Sequence, residues 1–261
     1  MEIITSKDNP AVKLYRKLSE SKKERSQYNM FVLEGLRIVK DAINENSGLK
    51  YIILTKQAFE KYESEFSQAD LNNTRFIVIS NELGNKIAQT EKTQGVFAVC
   101  SIPPEKKLNL KPDGKYIVLH KVQDPGNMGM IIRTADALGI DGIITCECCD
   151  LYNPKVIRST MGSVFRMKIY NEPDENIIFS ELSEKNIKSF ASVIDSDAVN
   201  INSISLEGGC AVFIGNEGNG LPKEVSERCT ERITIPMHGT INSLNAGMAC
   251  GILMWEMKRN G

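Results

Sequence analysis

The sequence lacks a long apolar run, an apolar N-terminal leader and a sizeable net charge. No stretch approaches the roughly 20 apolar residues that a membrane span requires, and residues 1–10 are polar, unlike a secretory signal. The formal net charge of the 261 residues is −1, so no overall basic field indicates a nucleic-acid partner. These absences predict a cytoplasmic protein that makes no use of a membrane.

Histidine is scarce, and this limits metal binding. The chain has seven cysteines, three of them in the C-E-C-C cluster Cys146, Cys148 and Cys149. A structural zinc site normally takes four cysteine or histidine ligands, and only His120 and His238 could supply imidazoles. We therefore expect free thiols in a reducing compartment and no metal site.

The near-zero total charge hides a basic N-terminal segment. Residues 1–40 contain nine basic and five acidic side chains, a net charge of +4 that the rest of the chain offsets. A basic surface on a near-neutral body suits contact with phosphates. A solvated helix face explains the same charges, and charge alone favours that simpler interpretation.

Alternating helix and strand signals predict a small α/β domain over residues 1–100. Its first helix begins after a cap at Asp8 or Asn9, and apolar runs predict strands at 30–33, 51–54, 76–79 and 96–99. Residues 101–115, rich in Pro and Lys and without a period, are predicted to be a linker.

A second α/β domain is predicted over residues 116–261, with a mostly parallel sheet covered by helices on both faces. Strands are expected at 117–122, 142–145, around Val193, at 211–215 and at 233–237. A helix should end near Leu138 and another should run from about 243 to 259. Because ligands bind at the carboxyl ends of parallel strands, the loops there are the candidate site.

The first candidate loop opens the segment H-K-V-Q-D-P-G-N-M-G-M-I-I-R at 120–133. Pro125 and Gly126 bend the chain out of the strand, and Asn127 can bond its own backbone. Arg133 follows two apolar residues, where a guanidinium needs a phosphate or carboxylate partner. A surface salt bridge would satisfy it equally well.

The second loop is F-I-G-N-E-G-N-G-L-P at 213–222, where glycines let the backbone approach a ligand closely. Its spacing is neither a dinucleotide fingerprint nor a P-loop, which weighs against a nucleotide-binding enzyme of those kinds. Glu217 has no packing reason to stand there, although a solvated turn carboxylate would explain it.

The third segment is I-P-M-H-G-T-I-N-S-L-N-A-G-M at 235–248, followed by apolar sequence. We expect a buried helix that is capped by Ser243 and apolar nearly all round. Its N-terminus should offer free N–H groups to a carboxylate or an adenine edge.

In this order and spacing, the three segments resemble the signature motifs of the SpoU/TrmH family of RNA ribose methyltransferases. They are similar to the family's D-x-x-N-x-G-x-x-x-R, G-N-E-G-x-G-L and I-P-M-x-G-x-x-x-S-L-N patterns. R-S-T-M-G-S-V-F-R at 158–166 and the N-terminal S-K-D-N-P-A-V-K through F-V-L-E-G-L-R resemble further family segments.

The resemblance implies a SPOUT fold with a deep trefoil knot, S-adenosylmethionine as the cofactor, and a homodimer whose active site draws on both subunits. The implied catalytic residues are Arg133, Asn127, Glu217, Ser243 and Asn245. The implied cofactor-binding residues are Gly215, Asn216, Glu217, Gly218, Ile235, Met237, Ser243, Leu244 and Asn245. Two roles stay open for Arg133, a general base or a clamp for phosphate and alkoxide, because a guanidinium pKa above about 12 makes it an awkward base.

The implied activity is 2′-O-methylation of a ribose in structured RNA, with 23S ribosomal RNA as the expected target. Seven basic side chains of the first domain are predicted to contact RNA phosphates: Lys13, Arg16, Lys17, Lys22, Lys23, Arg25 and Arg37. The alternatives are a tRNA ribose methyltransferase, a non-catalytic RNA-binding factor on the same fold, and a small-molecule nucleotide enzyme.

Overall fold

The computed structural model describes residues 2–66 and 74–259. Its strands are β1 (Ile3–Ile4), β2 (Met30–Glu34), β3 (Leu49–Thr55), β4 (Arg75–Ile79), β5 (Val96–Ser101), β6 (Lys115–His120), β7 (Gly142–Cys146), β8 (Ile169–Asn171), β9 (Lys188–Ser192), β10 (Val199–Asn200), β11 (Cys210–Ile214) and β12 (Glu231–Thr234). Its α-helices are α1 (Pro10–Glu20), α2 (Lys22–Tyr28), α3 (Leu36–Asn44), α4 (Lys56–Phe66), α5 (Asn81–Ile87), α6 (Pro125–Leu138), α7 (Pro154–Ser159), α8 (Glu175–Glu184), α9 (Lys223–Arg228) and α10 (Ala246–Lys258).

The chain divides into two compact units, the first comprising Met1–Pro104 with Tyr152–Phe165 and the second the remainder. The excursion at Tyr152–Phe165 was not anticipated from the sequence. Ile157 is buried in the first unit, and Tyr152 and Phe165 lie against the ring of Phe31. The domain boundaries 1–100, 101–115 and 116–261 stay a prediction, although Ser101 and Lys115 already lie in strands.

The first unit is a five-stranded mixed sheet in the order β1-β4-β3-β5-β2. Strand alternation sends Phe31 and Leu33 of β2 to one face, where α3 and α4 pack, and Val32 to the other, where α1 and α5 pack. Asn9 is the cap of α1, because its side chain accepts a hydrogen bond from the N–H of Ala11.

The second unit is a seven-stranded sheet in the order β10-β12-β9-β11-β6-β7-β8, with every recorded pairing parallel. Tyr116 and Val118 of β6 pack with Ile178 of α8 on one face. The alternate residues face the other side, where α6 and α10 pack together. The predicted parallel sheet with helices on both faces is confirmed, and the knot stays a prediction.

Three details differ from the sequence-based expectation. The strand expected around Val193 is β9, which ends at Ser192, and the strand expected to reach residue 237 is β12, which ends at Thr234. The helix α10 is not buried all round, because Met248, Ile252 and Trp255 are 57%, 40% and 60% exposed. This apolar face of α10 is therefore left uncovered by the part of the chain that the structure describes.

None of the helices within the described ranges is long and apolar enough to cross a membrane. All seven cysteines are free thiols. No group of potential metal ligands occurs among residues 2–66 and 74–259.

Candidate active site

The three candidate loops leave the carboxyl ends of strands in one parallel sheet. Residues 121–124 follow β6, residues 215–222 follow β11, and residues 235–245 follow β12. Because these strands run in the same direction, their loops emerge at the same edge. The sequence-based expectation that three distant segments converge is met by the contacts described next.

The first loop turns directly into α6. The side chain of Asp124 accepts a hydrogen bond from the N–H of Asn127 at 2.8 Å and caps the helix, with Pro125 at its first position. Asn127 thus lies in the first helical turn and is only 6% exposed. The expectation that the Asn127 side chain bonds its own backbone is wrong, because the Asn127 N–H donates to the side chain of Asp124 instead.

The second loop closes on itself. Asn216 and Gly220 exchange backbone hydrogen bonds, and the side-chain oxygen of Asn216 accepts from the N–H groups of Gly218 and Asn219. A side chain at Gly215 would overlap the backbone of Gly220, so the turn requires glycine there. The amide of Asn216 also donates to the carbonyl of Lys121 at 2.9 Å and ties this loop to the first one.

A chain of hydrogen bonds joins all three segments. One oxygen of Glu217 accepts from the Asn127 amide at 3.0 Å and from the Asp124 N–H at 2.9 Å, and its other oxygen accepts from the Gln123 N–H at 3.1 Å. The Asn127 oxygen in turn accepts from the Asn245 amide at 2.9 Å. Glu217 therefore anchors the loops, a function that the sequence did not reveal.

The same hydrogen bonds set the charge of Glu217. Partial burial alone would raise the pKa of this carboxyl, but the donors from Asn127, Gln123 and Asp124 outweigh it and lower the pKa below its usual value. Glu217 is a carboxylate at neutral pH.

Asn245, not Ser243, caps α10. Its side-chain oxygen accepts from the N–H groups of Gly247 and Met248, which corrects two expectations. Ser243 is exposed and lies outside the helix. The N–H groups of Gly247 and Met248 in the first turn of α10 are therefore satisfied by Asn245 and are not open to a ligand.

A cavity of about 1440 Å³ lies beside the hydrogen-bonded chain. Eight of the nine predicted cofactor-binding residues line it: Gly215, Asn216, Glu217, Gly218, Ile235, Met237, Ser243 and Leu244. The ninth, Asn245, does not line it, because its side chain is committed to Asn127 and α10.

Sequence reasoning missed the wall that follows β9. Residues 192–197 line the cavity, and Asp195 in this wall pairs with Arg232 at 2.8 Å. The hydrogen bond from the N–H of Asp197, followed by the neighbouring Arg232, outweighs desolvation and lowers the pKa of Asp195. Because the expected strand was placed two or three residues late, the loop after it was not recognised.

Arg133 is not brought to the other catalytic candidates within this chain. It is exposed and stands six residues after Asn127 in α6, about 9 Å along the axis and roughly 240° around it. In the part of the chain that the structure describes, no hydrogen bond or ion pair joins Arg133 to Glu217, Ser243 or Asn245. Arg133 therefore faces away from the hydrogen bonds that link Asn127 to Glu217 and Asn245.

The predicted RNA-contacting side chains are on the surface of the first unit with one exception. Lys13, Arg16, Lys17, Lys22, Lys23 and Arg37 are exposed. Arg25 is only 4% exposed and donates to the carbonyl of Leu18 at 2.6 Å, so it holds α2 against α1 and the prediction for Arg25 is wrong. Three of the others form ion pairs at the surface: Lys13 with Asp8, Arg16 with Glu20 and Lys17 with Glu24.

Known proteins share both the sequence and this architecture. Residues 114–255 match the SpoU rRNA Methylase family and residues 9–98 match the MRM3-like substrate binding domain. The chain belongs to the SpoU rRNA methylase family. It is an RNA methyltransferase, as the three motifs had predicted.

Relatives match over nearly the whole chain. The Bacillus subtilis 23S rRNA (guanosine(2553)-2′-O)-methyltransferase RlmP is 29% identical over 99% of this chain and 100% of that protein. An uncharacterized tRNA/rRNA methyltransferase of Synechocystis is 30% identical over 98% of this chain and 93% of that protein. The crystal structure of an AdoMet-bound rRNA methyltransferase from Sinorhizobium meliloti superposes with a TM-score of 0.87 at 29% identity, covering 99% of this chain and 98% of that one.

Proposed function

We propose that the chain transfers a methyl group from S-adenosylmethionine to a ribose 2′-hydroxyl of ribosomal RNA, with 23S RNA as the substrate, in the cytoplasm. The observation that carries the proposal is the chain Glu217–Asn127–Asn245, which joins the three motifs beside the cavity of about 1440 Å³. The kinship with the Bacillus subtilis 23S enzyme supports the choice of substrate.

The cavity suits the cofactor. Its volume exceeds the roughly 300–1000 Å³ typical of ligand pockets, so the whole molecule fits. Gly215, Ile235 and Leu244 offer backbone groups and apolar walls for adenine and ribose, and the carboxylate of Glu217 favours a cation nearby. When bound, S-adenosylmethionine supplies a methyl group on a positively charged sulfur.

With S-adenosylmethionine bound, the ribose 2′-oxygen would take the methyl group from sulfur, and the hydroxyl proton would pass to a base or to solvent. The residues of this chain contribute mainly by positioning. Glu217 already accepts three hydrogen bonds, so it holds the loops and is a poor candidate for the proton acceptor. Ser243 lies on the cavity wall and is free to contact the ribose.

A second protomer completes the site in this proposal. The exposed face of α10 presents Met248, Ile252 and Trp255, an i, i+4, i+7 stripe of apolar side chains that a symmetric dimer would bury. Helix α6 packs on α10, and its exposed Arg133 would enter the site of the partner. There Arg133 either accepts the hydroxyl proton, which requires its neutral form, or clamps a phosphate and the developing alkoxide while the proton passes to solvent.

The first unit holds the RNA in this proposal. Its match to a substrate-binding domain supports this assignment, and six exposed basic side chains offer phosphate contacts. Their surface ion pairs are weak and solvated, so phosphates can replace the carboxylates.

Labelled methyl transfer from S-adenosylmethionine to purified ribosomal RNA tests the proposal, followed by mapping of ribose methylation in RNA from cells with and without the gene. We expect label on one 2′-oxygen of 23S RNA that disappears in the deletion strain. Label in tRNA alone would overturn the substrate. Cofactor binding without transfer to either RNA would overturn catalysis in favour of an RNA-binding factor.

A further inference from the structure

A separate cleft of about 490 Å³ lies at the carboxyl ends of β6 and β7, on the other side of the Gly215–Gly220 turn from the large cavity. Asn216, Asn219 and Gly220 line both spaces, so this turn is their common wall. Seven of its eight lining residues belong to the candidate segments 120–133 and 213–222, and the eighth is Glu147, but none of the roles proposed above uses the cleft.

Six of the eight residues that line the cleft have polar side chains, and their charges balance. Among the described residues that line the cleft, Lys121 and Glu147 alone carry full charges, and they pair at 2.9 Å. The side chains of Gln123 and Asn219 add amide groups that can donate and accept hydrogen bonds. A phosphate would need unpaired cations, and a metal ion would need free carboxylates, so the lining fits a neutral, planar and polar ligand better than either.

His120 is a second, independent sign of a ligand site. It lines the cleft with a side chain that is 4% exposed, and its Nε2 lies 3.3 Å from a carboxylate oxygen of Glu175. Burial lowers the pKa of His120 more than Glu175 raises it, so the ring is neutral at pH 7. Within the described residues its Nδ1 has no hydrogen-bond partner, and such a buried acceptor is costly to leave unsatisfied.

The backbone beside His120 is also held in an uncommon conformation. Lys121 and Glu147, the residues that follow β6 and β7, have φ angles of 58° and 50°, in the left-handed region that side chains with a Cβ rarely adopt. Residues of this kind cluster at ligand sites, where the surrounding structure over-determines them.

Gln123 connects the cleft to the residues proposed to position the methyl transfer. Its side chain lines the cleft and donates to the carbonyl of Glu147 at 2.9 Å, while its backbone N–H donates to Glu217. Gln123 therefore links the cleft directly to the hydrogen bonds that join the three motifs.

We propose that this cleft holds the base of the nucleotide whose ribose is methylated, turned out of the RNA stack, and that Gln123 and His120 help to select that base. The inference rests on the proposed function.

Ligand-observed NMR on the full chain saturated with S-adenosylhomocysteine tests this assignment with adenosine, guanosine, cytidine and uridine as the probes. Saturation closes the cofactor cavity to adenosine. We expect one nucleoside to bind at least about five-fold more tightly than the others, since a base edge read by two hydrogen bonds commonly gives that discrimination. Gln123→Leu, which keeps the size of the side chain and the backbone N–H, should abolish the preference without changing the affinity for S-adenosylhomocysteine.

Two further variants keep the test decisive. His120→Phe keeps a buried ring without nitrogen and should also lose the preference, and Gln57→Leu, at an exposed position of α4, should keep it. The inference is overturned if wild-type protein prefers no nucleoside, or if Gln123→Leu and His120→Phe both keep the wild-type preference. A selective nucleoside cleft in a protein that transfers no methyl group to RNA would instead overturn the proposed function.

Discussion

Replacing the anchor carboxylate by its neutral isostere, Glu217→Gln, should loosen all three loops at once. Charge-assisted hydrogen bonds contribute about 1.5–3 kcal/mol each and neutral ones about 0.5–1.5 kcal/mol. Two of the three bonds, from Asn127 and the Asp124 N–H, can survive on the remaining oxygen. The third hydrogen bond is lost, because the new amide nitrogen and the Gln123 N–H are both donors. Because solvent reaches Glu217 and screens its charge, we expect a net loss of about 1–2 kcal/mol in the free energy of unfolding at pH 7.

The effect has a defined pH dependence. The pKa of Glu217 is lower in the folded protein than its usual value, so its ionisation stabilises the fold above the unfolded-state pKa of about 4.3. This contribution is lost as the pH falls through the lower, folded-state pKa. The difference in unfolding free energy between wild type and Glu217→Gln should therefore be full at pH 7 and shrink below about pH 4.

Urea unfolding of both proteins between pH 3.5 and pH 7.5 measures this difference, and labelled methyl transfer at pH 7.5 should fall in parallel. The matched control is Glu60→Gln, which removes an exposed i, i+4 partner of Lys56 away from the cofactor cavity and should cost about 0.5 kcal/mol or less. A Glu217→Gln protein as stable as the control, or a difference that does not change with pH, would refute the anchoring function.

Three further predictions address the other proposed functions. Arg133→Ala should abolish methyl transfer measured with labelled cofactor, and partial rescue by Arg133→Lys at raised pH would favour the base over the clamp, whereas near-normal turnover in Arg133→Ala would eliminate both. Charge reversal by Arg16→Glu and Lys17→Glu should weaken RNA binding and flatten its salt dependence while leaving cofactor affinity measured by calorimetry unchanged; unaltered RNA affinity would contradict phosphate contact. Trp255→Ala should raise the monomer fraction in sedimentation equilibrium, since it removes a side chain that is 60% exposed in one chain, and a variant that assembles like wild type would exclude this face of α10.

The sequence was most informative where local pattern and topology agree. Asn127, Glu217 and Asn245 are far apart in the chain, yet each stands near the end of a strand or the start of the helix that follows. Parallel strands necessarily bring such positions to one edge, so their convergence was predictable. The hydrogen-bond partners were not, because Asn, Asp and Ser can each cap a helix or bond a loop, and only tertiary packing selects Asn245 over Ser243.

Burial was the weakest inference from sequence. Arg25 counts as a basic residue in any charge tally, but its guanidinium satisfies the carbonyl of Leu18 inside the first unit. Trp255 is apolar and was expected to be buried, but its residue type does not tell whether the surface that covers it belongs to the same protomer or to another one. The excursion of Tyr152–Phe165 into the first unit depends on long-range packing against Phe31, which leaves no periodic signal.

The order of the hydrogen bonds explains why amides occupy the middle of the site. Asn127 donates to Glu217 with its nitrogen and accepts from Asn245 with its oxygen, so it must be donor and acceptor at once. A carboxylate at residue 127 would face Glu217 without a proton to offer, and an apolar side chain would leave both partners unsatisfied. Asn245 is likewise donor and acceptor at once, because its nitrogen donates to Asn127 and its oxygen caps α10. The charge of Glu217 is thus linked through two amides to the first turn of α10, and a change at any one position is expected to disturb the other two.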